Sequence, residues 1–219
     1  MREQISVTGM VLKAAPAGEY DRRLVILTCE RGKITAFARG ARRPGNQLMA
    51  CSGPFVFGEF RLFEGRDSYT LAGAEIRNYF RDIAGDMEAA CYGSYFLEFA
   101  EYYGRENVES TEALKLLYQA MRALLKEAIP NRLVKAVFEL KLMEINGEYM
   151  EYPLGRLEES TIYAWEYVLS SPVEKLYTFT LSEPVLLQFV RCVEENKKRF
   201  IDKTFHSLDI LGTLVDNVT

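Results

Sequence analysis

Three arginines fall within five residues of this 219-residue chain, and they are its clearest candidates for chemistry. Arg39, Arg42 and Arg43 belong to a loop-like stretch that also contains Gly40 and Gly45. A guanidinium donates hydrogen bonds in a planar fork that fits phosphate oxygens, and glycines let the backbone approach a phosphate closely. The pattern predicts a polyanion-binding loop. The alternative is a solvated hairpin tip.

Further cations in the first part of the chain could extend this basic patch. Residues 1–81 contain 13 Lys and Arg against 8 Asp and Glu, a net charge of +5, whereas the remainder has 14 against 23, a net of −9. A basic segment on an acidic chain favours a polyanion-facing surface, with chance segregation of charge as the alternative. The candidate contributors are Arg22, Arg23, Lys33, Arg61 and Arg66.

Aromatic side chains offer a second kind of contact with a polynucleotide, because bases of a single strand stack on exposed rings. In residues 55–63, Phe55, Phe57 and Phe63 share one side of the predicted strand, and Val56, Phe60 and Leu62 share the other. The alternation does not decide which side is core. Phe37 and Tyr69 are further candidates, and core packing is the alternative for each ring.

A basic stripe also marks the later part of the chain. Lys115, Arg122 and Lys126 share the polar face of a predicted helix, and Arg132 and Lys135 lie at the start of the next. Cations beside an apolar groove could receive an acidic, hydrophobic peptide tail. The alternative is an ordinary solvated helix face.

Catalysis and metal binding find little support in the residue types. The only histidine is His206, and the chain contains no G-x-S-x-G elbow, phosphate loop or G-x-G-x-x-G fingerprint. Four cysteines at positions 29, 51, 91 and 192 form no C-x-x-C pair, so we expect neither a zinc site nor a disulfide scaffold. We expect a protein that is not an enzyme and needs no cofactor.

The elements that must position these residues change character near residue 80. Apolar runs at 5–11, 24–28, 34–39, 55–63 and 69–76 are separated by turn signals, and five strands in this length match an OB-fold barrel. Helical spacing follows, with helices predicted over 83–103, from Ser110, over 130–146, and near 160–170, 183–200 and 205–215. The predicted class is α+β: a five-stranded OB-fold barrel over 1–80 and an all-helical domain over 81–219, with an irregular connection over 147–160.

Composition is that of an ordinary globular protein, with 48% hydrophobic and 26% charged residues. No stretch reaches the roughly 20 apolar residues that span a bilayer, and the first residues lack a signal-peptide core. The sequence therefore predicts a cytoplasmic location and no membrane partner.

Several segments, in order, resemble the RecO family of recombination mediator proteins. In the barrel they are VTGMVL at 7–12, EYD at 19–21, LVILT at 24–28, GKI at 32–34 and ARGARR at 38–43. The stretch FELKLM at 138–143, which ends at Gly147, resembles the family's central helix, and residues 165–172, 175–176 and 181–182 resemble its last helices.

The resemblance implies an OB-fold joined to a helical domain, binding of single- and double-stranded DNA, and annealing of complementary strands. It also implies that the protein works with RecR to help RecA displace single-strand-binding protein, whose acidic C-terminal tail such proteins contact. Arg39, Arg42 and Arg43 match the family's basic barrel motif. Many members carry a four-cysteine zinc module after the central helix, but residues 147–161 contain no cysteine, so we expect no zinc.

Two other functions remain open from the sequence. The chain could be an interaction scaffold that binds single-strand-binding protein while its barrel is only structural. It could also be an RNA-binding OB protein, in which case discrimination would come from the 2′-hydroxyl.

Overall fold

A computed structural model describes residues 3–208. The chain divides into two compact units. Of the described residues, the first unit contains those up to Arg81 together with Ala100–Leu114, and the second contains Asp82–Phe99 and those from Lys115 onward. The chain therefore returns to the first unit after leaving it, a feature that the predicted boundary near residue 80 does not contain.

Five strands close into a barrel in the first unit. They are β1 (Gln4–Ala17), β2 (Asp21–Thr28), β3 (Gly32–Ala38), β4 (Phe57–Glu64) and β5 (Tyr69–Asn78), with the short helix α1 (Leu48–Cys51) between β3 and β4. Their order around the barrel is β1-β2-β3-β5-β4. Only the β3–β5 pair is parallel among these strands. The predicted five-stranded OB-fold barrel is confirmed.

The barrel core decides which side of β4 faces outward. Val56, Phe60 and Leu62 are buried in the core, whereas Phe57 and Phe63 lie on the other side of the strand and are half-buried. The same alternation in β3 buries every second residue and turns Phe37 outward. The barrel thus carries aromatic rings on its outer surface as well as in its core.

The turn between β2 and β3 is held by the returning segment of the first unit. Gly32 has a φ of +64°, and a Cβ at this position would collide with the carbonyl oxygens of Arg105 and Val108. The Lys33 N–H donates to the Arg105 carbonyl at 3.0 Å, and the Ser110 N–H donates to the Cys29 carbonyl at 3.0 Å. Glycine is required here for its backbone conformation and for the close approach of another segment.

Helices form the remainder of the described chain. They are α2 (Arg81–Gly85), α3 (Met87–Tyr103), α4 (Thr111–Ala123), α5 (Asn131–Ile145), α6 (Glu159–Ser170) and α7 (Glu183–Phe200), with 3₁₀ turns at Val173–Lys175 and His206–Leu208. Residues 148–158 are irregular, near the predicted connection. The predicted helix over 205–215 lies mostly outside the described residues. None of the described helices is long and apolar enough to cross a membrane.

Helix α5 is the centre of the second unit and packs against both α6 and α7. Leu133, Val134 and Phe138 are buried on it, as are Trp165 of α6 and Phe189 of α7, whose rings meet edge to face at 6.4 Å. The helical spacing that predicted this buried face therefore also identified the core of the unit.

A chain of alternating charges lies inside the second unit. Glu139 is fully buried and accepts from the Lys135 ammonium at 2.9 Å and the Lys197 ammonium at 2.8 Å. Both lysines also reach Glu194, at 2.6 and 2.9 Å, and the Tyr95 hydroxyl donates to Glu139. Burial alone would lower the pKa of Lys135, but the two carboxylates outweigh it and raise that pKa.

Candidate nucleic-acid interface

The predicted arginine loop follows β3, at residues 39–47, and is hydrogen-bonded to the β1–β2 turn at residues 18–20. The Arg42 N–H donates to the Tyr20 carbonyl at 2.8 Å, and the Gly40 N–H donates to Asp21 Oδ1 at 2.7 Å. Gly40 adopts a φ of +67°, which favours glycine at this point of the loop.

Arg42 holds the two segments together by hydrogen bonds and is also an exposed cation. Its Nη1 donates to the carbonyl oxygens of Gly18 and Glu19, at 3.2 and 3.1 Å. A guanidinium has five N–H donors, so the two contacts leave Nη2 and Nε available for a phosphate. No described residue accepts a hydrogen bond from them.

Arg43 is oriented by an aromatic ring. Its guanidinium carbon lies 4.4 Å from the centre of the Tyr20 ring, which is itself 40% exposed. Such a cation–π contact holds the long side chain without neutralising it. Sequence reasoning did not single out Tyr20 as a functional residue, although the aromatic residue in a turn, next to a predicted cationic loop, was a visible signal.

Arg39 and Arg23 complete the group that we call the arginine cluster, namely Arg23, Arg39, Arg42 and Arg43. Arg23 lies opposite Phe37 in the β2–β3 register, and Arg39 follows two residues after Phe37. Both arginines are exposed. Within residues 3–208, no member of the arginine cluster forms an ion pair with a carboxylate.

Arg22 is next to the arginine cluster in sequence but has a different role. It is half-buried, and its Nη1 donates to the Ser52 hydroxyl at 3.1 Å, to the Ser52 carbonyl at 3.3 Å and to the Met49 carbonyl at 3.4 Å. These contacts satisfy groups at the end of α1, as cations commonly do at helix C-termini. Arg22 therefore anchors the loop and is not a free contributor to the patch.

Lys33, Arg61 and Arg66 lie on barrel segments other than those that carry the arginine cluster. Lys33 lies at the start of β3, about 20 Å from its end at the usual rise per strand residue, and donates to the Glu101 carbonyl at 2.9 Å. Arg61 is on β4, opposite Ser6 and with its guanidinium over Gly73. Arg66 is in the β4–β5 turn, just before Tyr69, which pairs with Ala36 of β3. Because β5 runs parallel to β3, the turn that precedes Tyr69 extends from Ala36 towards the start of β3.

A candidate stacking ring accompanies the arginine cluster. Phe37 is half-buried on the outer face of β3, directly opposite Arg23. Tyr69 is half-buried against the barrel core, so it is less suited to receive a base. Phe57 and Phe63 lie on β4, opposite residues of the first half of β1. Phe37 is thus the outward ring that the register places beside the arginines.

The predicted peptide-binding cations of the helical unit do not gather in one place. Lys126 and Arg132 line one cavity of about 600 Å³, together with apolar residues and with four acids, Asp82, Asp86, Glu88 and Glu127. Arg132 is held by Glu183 at 2.5–2.6 Å across an exposed ion pair. Arg122 is exposed in the last turn of α4, and the Lys135 ammonium is engaged by Glu139 and Glu194.

The cysteines and acids form no metal centre in the described part of the chain, where no group of three or more potential ligands gathers. Cys51, Cys91 and Cys192 are buried and Cys29 is half-buried. Burial raises the pKa of the Cys51 and Cys192 thiols, which disfavours the thiolate that a metal or a nucleophile needs.

A closed five-stranded barrel of this strand order defines an OB-fold protein, and this one carries an exposed arginine loop after β3. Comparison with known families identifies which one. Residues 1–80 match the family model "Recombination protein O N terminal" and residues 84–151 match "Recombination protein O C terminal", so that together they account for more than half of the chain. The chain belongs to the RecO family, whose members act in DNA repair and recombination.

Curated relatives agree with this assignment. The chain is 27% identical to the DNA repair protein RecO of Acetivibrio thermocellus over an alignment of 244 positions, which covers 96% of this chain and 97% of the relative. It is 37% identical to the DNA repair protein RecO of Alkaliphilus metalliredigens over 143 residues, covering 65% of this chain and 58% of the relative. A third protein of that name, from Clostridium perfringens, is 32% identical over 64% of this chain and 56% of its own length.

Proposed function

We propose that this protein is a recombination mediator that binds single- and double-stranded DNA through the arginine cluster. The observation that carries the proposal is the set of four exposed guanidinium groups, three on the loop after β3 and one on β2, none paired with a carboxylate in the described residues. Each phosphate that such a group neutralises releases condensed counterions, so binding is strong at low salt and weakens steeply as salt rises.

The proposed contacts would recognise the phosphate backbone of DNA and not its base sequence. Arginines on loops reach phosphate oxygens, which are the same for every base, and a single ring such as Phe37 stacks on any base. A protein of this kind binds many sequences and both strand forms. Shielding the phosphates of two complementary strands also lowers their repulsion, which supports annealing.

Family membership supports a place for this binding within the recombination machinery. We propose that the protein acts with RecR to help RecA replace single-strand-binding protein on DNA. In this scheme the barrel holds the DNA, and the helical unit contacts the protein partners. We expect the chain to need no catalytic residue or cofactor for this work.

The test is fluorescence anisotropy of the full chain with a labelled single strand over a salt series. Arg39→Glu with Arg43→Glu should weaken binding at least tenfold at about 100 mM salt and flatten the slope of log K against log salt, by about 0.7 for each lost contact. The matched control is Arg61→Glu with Arg66→Glu, which changes the charge equally on other parts of the barrel. Equal losses from the two pairs would show that only net charge matters.

Strand annealing gives a second readout for the same variants. The double substitution in the arginine cluster should slow annealing of complementary strands, while the Arg61 and Arg66 pair should leave it near the wild-type rate. The same anisotropy assay with RNA competitor separates an RNA-binding function, because RNA of the same sequence would then displace the DNA at a lower concentration than DNA does.

A second proposed function is binding of the acidic tail of single-strand-binding protein by the helical unit. The supporting observation is that Lys126 and Arg132 line one cavity with apolar neighbours, in a lining that also contains the carboxylates of Asp82, Asp86, Glu88 and Glu127. Lys126→Ala should weaken binding of a labelled tail peptide severalfold, whereas the exposed Lys198→Ala should not. Tail binding by a chain that binds no DNA would favour the interaction scaffold. Because Lys135 is held by internal ion pairs, it has no part in this proposal.

A further inference from the structure

A second cavity of the helical unit, of about 710 Å³, has a different chemistry from the first. It lies between α6 and the segment of residues 178–182 that leads into α7. We call it the aromatic cavity and define it by Tyr163, Tyr167, Phe179 and Glu159, with small and apolar residues between them. Its volume is in the range of sites that enclose several side-chain-sized groups.

Three rings make one wall of the aromatic cavity. Tyr163 and Tyr167 lie nearly parallel, with ring centres 6.4 Å apart and planes at 27°, and Phe179 meets Tyr167 edge to face at 5.3 Å. The Tyr167 hydroxyl donates to the Lys175 carbonyl at 3.1 Å, which fixes its ring. Tyr163 is 68% exposed, so one face of this wall is open to a ligand.

The charge of the lining favours a cation. Glu159 is the one charged residue of the lining, and no lysine or arginine is among the described residues that form it. The faces of aromatic rings attract cations through their quadrupole, and a carboxylate beside them adds to that attraction. The N-terminal turns of α6 and α7 also border the cavity, but Glu159 and Glu183 occupy those turns and offset their positive partial charge.

One segment that lines the aromatic cavity has main-chain groups available to form hydrogen bonds with a peptide. Phe179, Thr180 and Leu181 form no helix or strand. Their main-chain N–H and C=O groups have no hydrogen-bond partner within the described chain. An extended peptide can pair with such a segment while its alternate side chains enter the pocket beside it. A free small cation would leave the main-chain N–H groups of this segment without a partner.

We propose that the aromatic cavity binds an extended, basic segment of a partner protein, with one lysine or arginine side chain inserted between Tyr163 and Glu159. An acidic tail is excluded as its occupant, because the lining offers no cation to receive it. DNA is disfavoured for the same reason, since a phosphate would face Glu159. This site is therefore independent of the proposed DNA and tail contacts.

The experiment uses the full chain and a fluorescein-labelled KVRVKV peptide, with an EVEVEV peptide as the charge-reversed probe. The basic peptide should bind and the acidic one should not. Tyr163→Ala should weaken binding by about three- to tenfold, and Tyr163→Phe should retain it because the ring face remains. Glu159→Gln should also weaken it severalfold.

Tyr152→Ala is the matched control, because Tyr152 is similarly exposed at 62% but lies outside the aromatic cavity. Absence of basic-peptide binding would overturn the proposal. So would binding that is unchanged by Tyr163→Ala and Glu159→Gln, since attraction to the net negative charge would then explain it. Loss of single-strand DNA binding in Tyr163→Ala would also overturn it and assign the rings to base stacking.

Discussion

The guanidinium of Arg43 lies over the ring of Tyr20, 4.4 Å from its centre, so a residue of the β1–β2 turn orients a residue of the loop after β3. The same two segments are joined by the hydrogen bonds of Arg42 and Gly40. The arginine cluster is therefore presented by a braced surface and not by an isolated hairpin tip.

Removing the ring should weaken DNA binding without removing a charge. We expect Tyr20→Ala to lower single-strand affinity about two- to fivefold, the range of an exposed cation–π contact. The salt slope should stay at the wild-type value, whereas Arg43→Ala should reduce it by about 0.7. Anisotropy titrations at four salt concentrations make this comparison. Tyr20→Phe keeps the ring, and a loss in that variant would show that the hydroxyl matters instead.

Two glycines with nearly the same backbone conformation provide a matched stability test. Gly32 and Gly18 have φ values of +64° and +63°, but only Gly32 has other backbone within reach of an added Cβ. Gly18→Ala should therefore cost about 1 kcal/mol from backbone strain, and Gly32→Ala should cost at least 2 kcal/mol more. Urea unfolding measures both. Similar losses would show that the segment at Arg105 moves aside easily.

The buried charge chain should be sensitive to loss of its central carboxylate. Glu139→Gln leaves Lys135 and Lys197 with one carboxylate partner each, and we expect the free energy of unfolding to fall by about 3–5 kcal/mol. Thermal and denaturant unfolding check this value. Arg191→Gln removes an exposed ion pair with Glu195 on the same unit and should cost less than about 1 kcal/mol.

Acid should weaken the same unit through Glu194. Burial alone would raise the pKa of Glu194, but Lys135 and Lys197 lower it below its ordinary value of 4.5. Ionised Glu194 therefore stabilises the fold at pH values above 4.5, and this contribution is lost as the pH falls through the lower, folded value. The pH dependence of unfolding below 4.5 should be shallower in Glu194→Gln. An unchanged profile would assign the acid sensitivity to other carboxylates.

Much of the fold was accessible from local pattern. Strand alternation and turn residues predicted the barrel, and helical spacing predicted the buried face of α5 that contains Val134 and Phe138. Pairing over long sequence separations was not accessible. The contact of Gly32 with Arg105 and Val108 depends on where the chain returns, which no local signal encodes.

Only part of the candidate site could be predicted, because local sequence does not show which distant segments pair. Arg39, Arg42 and Arg43 are close in sequence and stay close in space, because one loop carries them. Arg22 anchors to Ser52, a partner 30 residues away. Lys33 is remote because the β2–β3 register sends it to the far end of the barrel. Residue type suggested a shared role for these cations, but strand direction decides their neighbours.

The return of Ala100–Leu114 to the barrel has a practical consequence for a study of the barrel in isolation. A fragment cut at residue 80 would expose the carbonyl groups of Cys29 and Arg31 and the N–H group of Lys33, all of which this return segment otherwise satisfies. Because a later segment of the chain completes the hydrogen bonding of the β2–β3 turn, a self-sufficient barrel fragment needs more than the N-terminal 80 residues.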